Sequence, residues 1–228
     1  MFVSLTIVRY PVLLVPFALL AMLVLRLPLS LNRNIRFYKL MGCGEKGTFD
    51  SNPDFQQWAI FSCNLKSTKY PNGKFVRKWL KFFRCEEFVI NMEPREGYGK
   101  WDGIEVFPGL TKMPMEEGLV AVLTRATVRL KKLGYFQKSI KPVAELVKSA
   151  EGLLYTLGIG EIPFIKQATF SIWKDINVMK NFAYQSNEHR KVIKLTSEQQ
   201  WYSEQMFIRF RIISFHGSIK GINPLANM

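Results

Sequence analysis

The chain has 228 residues, of which 48% are hydrophobic and 14% aromatic, with 18 Phe, and this excludes a disordered chain while allowing one sizeable core or two small ones. Its formal net charge is +14, from 32 Lys and Arg against 18 Asp and Glu, which favours an anionic partner: nucleic acid, an acidic membrane face, or an anionic cofactor or substrate. The densest basic cluster, Lys74, Arg77, Lys78, Lys81 and Arg84, reads as one side of an amphipathic helix with no RNP, zinc-finger or helix-turn-helix signature beside it, so no nucleic-acid partner is expected.

From the start, Phe2 to Tyr10 has the pattern of a strand, and Pro11 to Leu25 is an unbroken apolar run of fifteen residues ended by Arg26. A bilayer span needs about 20 such residues. A signal peptide is disfavoured by the single Arg9 ahead of the run and the lack of a small-x-small cleavage site. Pro16 and Pro28 interrupt it, and a second strand, Ile35 to Gly42, follows. The run therefore reads as the crossover helix of a βαβ unit, buried or lying on the surface, and able to rest on a membrane face.

Next come an aromatic-rich strand at Phe55 to Leu65, a basic helix at about Gly73 to Phe83 and a strand at Glu87 to Glu93. Residues 97–118 are rich in Gly and Pro and read as a linker or lid. A strand at Leu119 to Leu130 leads to a helix at about Val143 to Ala150, then strands at about 153–161 and Phe164 to Trp173. Helical sequence from Asp175 to Trp201 and a strand at Gln205 to Ser214 complete the series. Residues 217–228 have no periodic apolar pattern and are expected to hang on the surface. Cys43, Cys63 and Cys85 form neither a disulfide framework nor a CxxC knuckle, so free thiols and a cytoplasmic location are expected.

The same order of events occurs twice, and Gly42-Cys-Gly-Glu45 in the first half matches Gly158-Ile-Gly-Glu161 in the second. Both are read as strand-ending turns; no helix follows and the third Gly is missing, so neither is a dinucleotide fingerprint. The predicted fold is α+β: two tandem ferredoxin-like βαββαβ halves, residues 1–96 and 119–216, packed sheet to sheet as an α+β barrel.

Alternation divides the strand faces. Gln167, Thr169, Ser171 and Trp173 share one face of their strand, and Ala168, Phe170 and Ile172 the other. Arg125 shares a face with Leu123 and Thr127; Arg209 and Arg211 share one with Phe207, opposite Ile208 and Phe210. The apolar faces are expected under the helices, which leaves the mixed faces to line the interior. Arginines there need an anionic partner, such as a carboxylate-bearing cofactor, unless they reach solvent at the rim.

His189 follows the N-cap pair Ser186-Asn187 and shares a helix face with Val192 and Ile193, so it is expected to point inward. An inward His is a packed core residue or a ligand. It lacks the companions a zinc or non-haem iron site needs, whereas haem iron needs one axial His. His216 lies near the chain end and carries little weight. There is no GxSxG and no P-loop, and Glu45 and Glu161 read as turn-capping groups before acid or base groups.

Several segments together resemble the spheroidene monooxygenases, the acyclic carotenoid ketolases. They are Leu123-Thr-Arg-Ala-Thr-Val-Arg129, Gly158-Ile-Gly-Glu-Ile-Pro163, Gln167-Ala-Thr-Phe-Ser-Ile-Trp173 with Asp175, Phe182-Ala183 ahead of His189, and Trp201-x-x-Glu204 leading to Arg209-Phe210-Arg211. The likeness extends to Val3-Ser-Leu, Phe37-Tyr-Lys-Leu-Met-Gly and Trp101-x-Gly103, and is denser in the second half. The chain also resembles, more distantly, the dimeric α+β barrel haem proteins.

The resemblance implies a haem-dependent monooxygenase that uses O₂ to oxidise a carotenoid or similar long terpenoid, by hydroxylation and then ketone formation. It implies His189 as the iron ligand, Arg125 and Arg209 as catalytic groups polarising oxygen, and Arg125, Arg211, Trp173, Gln167 and Thr169 around the cofactor. With no flavin or nicotinamide motif, electrons are expected from an external donor such as ferredoxin, and the membrane association is expected to be peripheral. Residues 83–118 fit the family poorly, and Lys174 stands where its pattern has Pro, which leaves the substrate and oxidation depth open. The rival readings are a non-catalytic haem- or lipid-binding α+β barrel and a membrane-anchored interaction domain.

Overall fold

A computed structural model describes residues 1–45, 52–114, 117–185, 195–196 and 198–226, without the side chains of 141–145, 148, 184 and 185. Two compact units emerge. The first combines Met1–Glu45, Pro53–Glu93 and the chain from Ile212 onward; the second is built on Pro94–Arg211. The expected division at residues 96 and 119 is corrected, because the boundary falls inside two long strands, β4 (Glu86–Gly99) and β8 (Tyr202–Gly217).

In the first unit β1 (Phe2–Arg9), β2 (Ile35–Gly44), β3 (Pro53–Asn64) and the start of β4 lie in the order β4-β1-β3-β2, every neighbouring pair antiparallel. The second unit repeats this with β5 (Val120–Val128), β6 (Leu153–Ile162), β7 (Lys166–Trp173) and β8 in the order β8-β5-β7-β6. Both orders are what two crossover helices produce in a βαββαβ unit, so the predicted α+β repeat is present in both halves.

The apolar run near the start forms a short 3₁₀ turn, then α1 (Val15–Val24) and α2 (Arg26–Ser30). Ala18, Ala21, Leu25 and Leu29 recur at helical spacing and are at most 4% exposed, packed on Val8, Tyr10, Leu40 and Ile60 of the sheet. The run has the length and composition to cross a membrane, yet one of its faces is committed to the core. Beside it α3 (Gly73–Phe82) buries Val76 and Leu80 and turns Lys74, Arg77, Lys78 and Lys81 outward. The helix ends at Arg84, whose φ of 50° the α-helix does not accommodate.

Three expectations are corrected. The Gly-x-Gly segments are not turns: β2 and β6 run through them, with register shifts at Gly42/Cys43 and Gly160/Ile162. Each is a β-bulge, and a Cβ on Gly160 would lie 2.7 Å from the Lys166 carbonyl oxygen. The helix expected at 143–150 begins ten residues earlier, as α4 (Leu133–Lys148), because Gly134 and Pro142 disguise its first half in the sequence. Finally, the tail is packed: Ile219 and Ile222 bridge across a Lys220-Gly221 turn, and Leu225 is 2% exposed. A short hairpin carries no periodic signal.

Candidate functional site

Strand register orients every side chain on the second unit's sheet. Thr124 of β5 pairs with Thr169 of β7 and Phe207 of β8, and Thr169 pairs with Gly158 of β6. The next rows are Thr156–Ser171–Val122–Arg209 and, beyond it, Leu153–Trp173–Val120–Arg211. Val120, Val122, Trp173 and Phe207 pack with Met179 and Phe182 of α5 (Ile176–Gln185), so this mixed face is the one the helices cover. The expectation is thereby reversed: Phe170, Ile172, Ile208 and Phe210 lie on the opposite face, each at most 2% exposed.

Arg125 pairs with Ala168 and Met206, which puts it on that opposite face, away from Arg209 and Arg211. The expectation that these three guanidinium groups project into one space is corrected, because a strand turns residues two apart, not any pair, to the same side.

Among the described residues, the helix layer over this sheet has a gap. One apolar cluster, Val120, Val122, Trp173 and Met179, packs beneath α5; a second, Val128, Phe136, Ile140 and Trp201, packs with α4. Between them Thr124 is exposed, although β5 is a central strand and Val122 and Ala126 are 8% and 7% exposed. The floor of the gap has small side chains at Gly158, Thr169 and Thr124 in one row and Thr156 and Ser171 in the next, with Phe207 and Arg209 at the β8 ends of these rows. The buried Thr156 Oγ1 has no hydrogen-bond partner on this floor.

The sequence-predicted residues Trp173, Gln167, Thr169, Arg209 and Arg211 all belong to this face. Trp173 is 3% exposed, donates through Nε1 to Ser171 Oγ at 2.9 Å and packs on Phe182 with 5.2 Å between ring centroids. Gln167 donates to the Phe164 carbonyl at 2.5 Å. Arg209 Nη1 pairs with Glu96 Oε2 at 2.6 Å and lies over the Phe207 ring. Glu96 also meets Lys112 at 3.7 Å, and both line an open pocket with Met113, Pro114, Ile176 and Lys180. Thr124 and Thr156 were not expected at the site, and Gly158 was expected in a turn; their sign was smallness at the middle of three adjoining strands.

Arg125 does different work. It is 1% exposed and pairs with Asp102 at 3.0 Å, Glu161 at 4.0 Å and Glu204 in a short contact. Trp101 donates through Nε1 to Glu161 at 2.6 Å, and Glu204 accepts from the Asp102 and Gly103 amides at 2.8 and 2.6 Å. Asp102 and Gly103 both have positive φ, 52° and 76°, and form the tight turn between Trp101 and Ile104. Burial raises the Glu204 pKa, but the Gly103 and Asp102 amides and then Arg125 outweigh it and hold the carboxyl below its usual range. Trp101-x-Gly103, Arg125, Glu161 and Glu204, distant in the chain, are thus one ion-paired knot with its carboxylates already supplied.

His189, expected as the iron ligand, lies outside the described residues. Leu195, the next described residue after α5, packs on the Val128–Phe136–Trp201 cluster. His216 belongs to the first unit, where burial and then Lys69 lower its pKa. Burial pushes the Cys43, Cys63 and Cys85 thiols up to about 12, which removes them as nucleophiles. Among the described residues no group of three or more His, Cys, Asp or Glu is placed to hold a metal ion.

No protein-family profile matches the chain. A spheroidene monooxygenase of Rhodobacter capsulatus is 32% identical over 216 residues, covering 93% of this chain and 90% of that protein. Another from Rubrivivax gelatinosus is 29% identical over 190 residues, 82% of this chain and 72% of its own. Among solved structures, an aldoxime dehydratase in complex with butyraldoxime superposes with a TM-score of 0.60 at 7% identity, over 93% of this chain and 79% of that one, a likeness of fold alone.

Proposed function

The chain belongs to the spheroidene monooxygenase family and is an oxidoreductase that uses O₂, and from that premise we propose that it oxidises a carotenoid-type polyene over the gap at Thr124. The overall step is R–H + O₂ + 2e⁻ + 2H⁺ → R–OH + H₂O, and a second oxidation of the same carbon gives the ketone. The electrons come from an external donor such as a ferredoxin.

Haem is the proposed cofactor, with His189 as its protein ligand. The gap fits such a group on three counts. Its floor carries the small side chains of Gly158, Thr169 and Thr124, which suits the close approach of a planar ring. Thr156 Oγ1 is a buried polar atom without a partner on that floor. The neighbouring rows end in Arg209 and Arg211, suited to acidic arms, although Glu96 already takes part of the Arg209 charge. Bound there, the haem would supply the redox iron that activates O₂.

The chain's own residues orient and exclude. Val120, Val122, Trp173 and Met179 make one apolar wall, and Val128, Phe136 and Trp201 the other. Such walls suit a hydrocarbon chain and keep water from the reacting carbon. Arg125, expected among the catalytic and cofactor-binding groups, is assigned instead to the folding of the Trp101–Ile104 turn.

The exposed Thr124 at the centre of an otherwise covered strand carries this reading. Purified protein is expected to show a Soret band that His189→Ala abolishes, and to turn over a polyene when given O₂ and a reductant. Thr124→Trp, which fills the gap from its floor, is expected to lose the band and turnover while its far-ultraviolet circular dichroism stays unchanged. A Soret band of full intensity in both variants would sink the proposal.

A further inference from the structure

We propose that the outer surface of α1, α2 and α3 docks on an anionic lipid bilayer. The inference goes beyond the oxygenase reading and does not rest on it. The three helices are one layer: Phe17 of α1 packs on Phe83 beyond α3 with ring centroids 4.8 Å apart, and Trp79 of α3 packs on the same ring at 4.8 Å. Their inner sides are committed to the sheet through Ala18, Ala21, Leu25, Leu29, Val76 and Leu80.

The outer side is unusually apolar. Leu13 is 90% exposed, Leu23 69%, Leu27 65% and Leu31 70%, with Phe82 of α3 at 78%. Isolated exposed leucines need no explanation, but five large apolar side chains exposed on one helix layer do. Charge says what covers it. Residues 1–44 and 55–85, which contain all three helices, include no Asp or Glu at all. Arg26, Arg33, Lys74, Lys78, Lys81 and Arg84 are all exposed as well. Exposed leucine and phenylalanine on an acid-free cationic layer match the interfacial region of an anionic membrane: apolar groups enter the acyl boundary, and cations meet the headgroups. A spanning orientation conflicts with the packing, because Ala18, Ala21, Leu25 and Leu29 would have to leave the core.

The test is flotation of the full chain with phosphatidylcholine vesicles, with and without phosphatidylglycerol. Binding is expected to the anionic vesicles and to weaken as salt rises. Lys78→Gln and Lys81→Gln should each weaken it about fivefold, and Leu13→Ser and Leu23→Ser about tenfold each. All four side chains are exposed, so melting temperatures should match the parent, and alkaline carbonate should release the bound protein. No binding to anionic vesicles, or binding indifferent to these substitutions, overturns the proposal. So does retention after carbonate, which indicates a span, or an oligomer that Leu23→Ser converts to monomer, which makes a second copy the occupant.

Discussion

Each half carries a threonine at the middle of its first strand, on the face its helices cover, and the two have opposite fates. Thr6 is 1% exposed and accepts a hydrogen bond from Asn72 Nδ2 at 2.8 Å, while Asn72 Oδ1 accepts from Ser62 at 3.2 Å. Leu29 and Leu80 of the same helix layer are buried, and the void under α1, lined by Ala18, Ala21 and Leu25, is about 10 Å³ and wholly apolar. Thr124, also mid-strand and one same-face row away from the place that matches Thr6 in the repeat, is exposed. The strand plan is shared; the difference lies in the helix layer. Where α1 to α3 sit close, the interlayer is filled, and their surplus apolar surface faces outward. Where α4 and α5 each pack on their own cluster, Thr124 between them is left uncovered among the described residues.

The unit with the uncovered sheet also holds the buried ion-paired knot at Arg125. Arg125→Ala removes the buried cation that Glu161 and Glu204 share with Asp102, which keeps only Lys166 at 2.7 Å. A loss of about 3–5 kcal/mol is expected, the size seen when one partner of a buried pair is removed. Chemical denaturation of the variant measures it. A cost near zero would mean the knot is decorative and the open half is held by packing alone. The same knot gives a pH dependence. Because the folded Glu204 pKa lies below its ordinary value of 4.5, its contribution is complete above that value and is lost as pH falls through the lowered one. The parent should therefore lose more melting temperature on acidification than Glu204→Gln.

Much of this was legible in the sequence, for physical reasons. The repeated strand and helix order is written in periodicity, and α3 in the spacing of Val76 and Leu80 against its lysines. Face membership was also legible: Gln167, Thr169 and Trp173 do share a side with Arg209 and Arg211. Which side meets the helices was not, because alternation fixes that two faces differ and says nothing of what covers each. Phe170 and Phe210 looked suited to helices and lie on the other face. Arg125 misled for a related reason: its carboxylates are 23, 36 and 79 residues away along the chain, beyond any local pattern. The Asp102-Gly103 turn that Glu204 holds looked like loose linker because glycine marks tight turns and flexible segments alike.

A smaller effect sharpens the contrast at the threonines themselves. Thr6→Ala removes the acceptor of the Asn72 amide in a site closed to water, and leaves that donor buried without its partner. The expected cost is about 1–3 kcal/mol. Thr6→Ser keeps the hydroxyl and should recover most of the hydrogen-bond part of that cost, which separates it from lost packing.

The smallest expected effect is the one that most directly tests the opening. Thr124→Ala removes a hydroxyl and a methyl group that already meet solvent, so the cofactor-free chain should change by less than about 0.5 kcal/mol. The comparison with Thr6→Ala is informative because residue type and change are the same and both sit mid-strand on the face the helices cover, while the cover over them differs. Equal costs at both sites would mean that the helix layer of the second unit closes over Thr124 in solution, leaving no floor for a ligand. A neutral Thr124→Ala beside a costly Thr6→Ala would fix the asymmetry as a property of the folded chain before any ligand binds, which is what a preformed site requires.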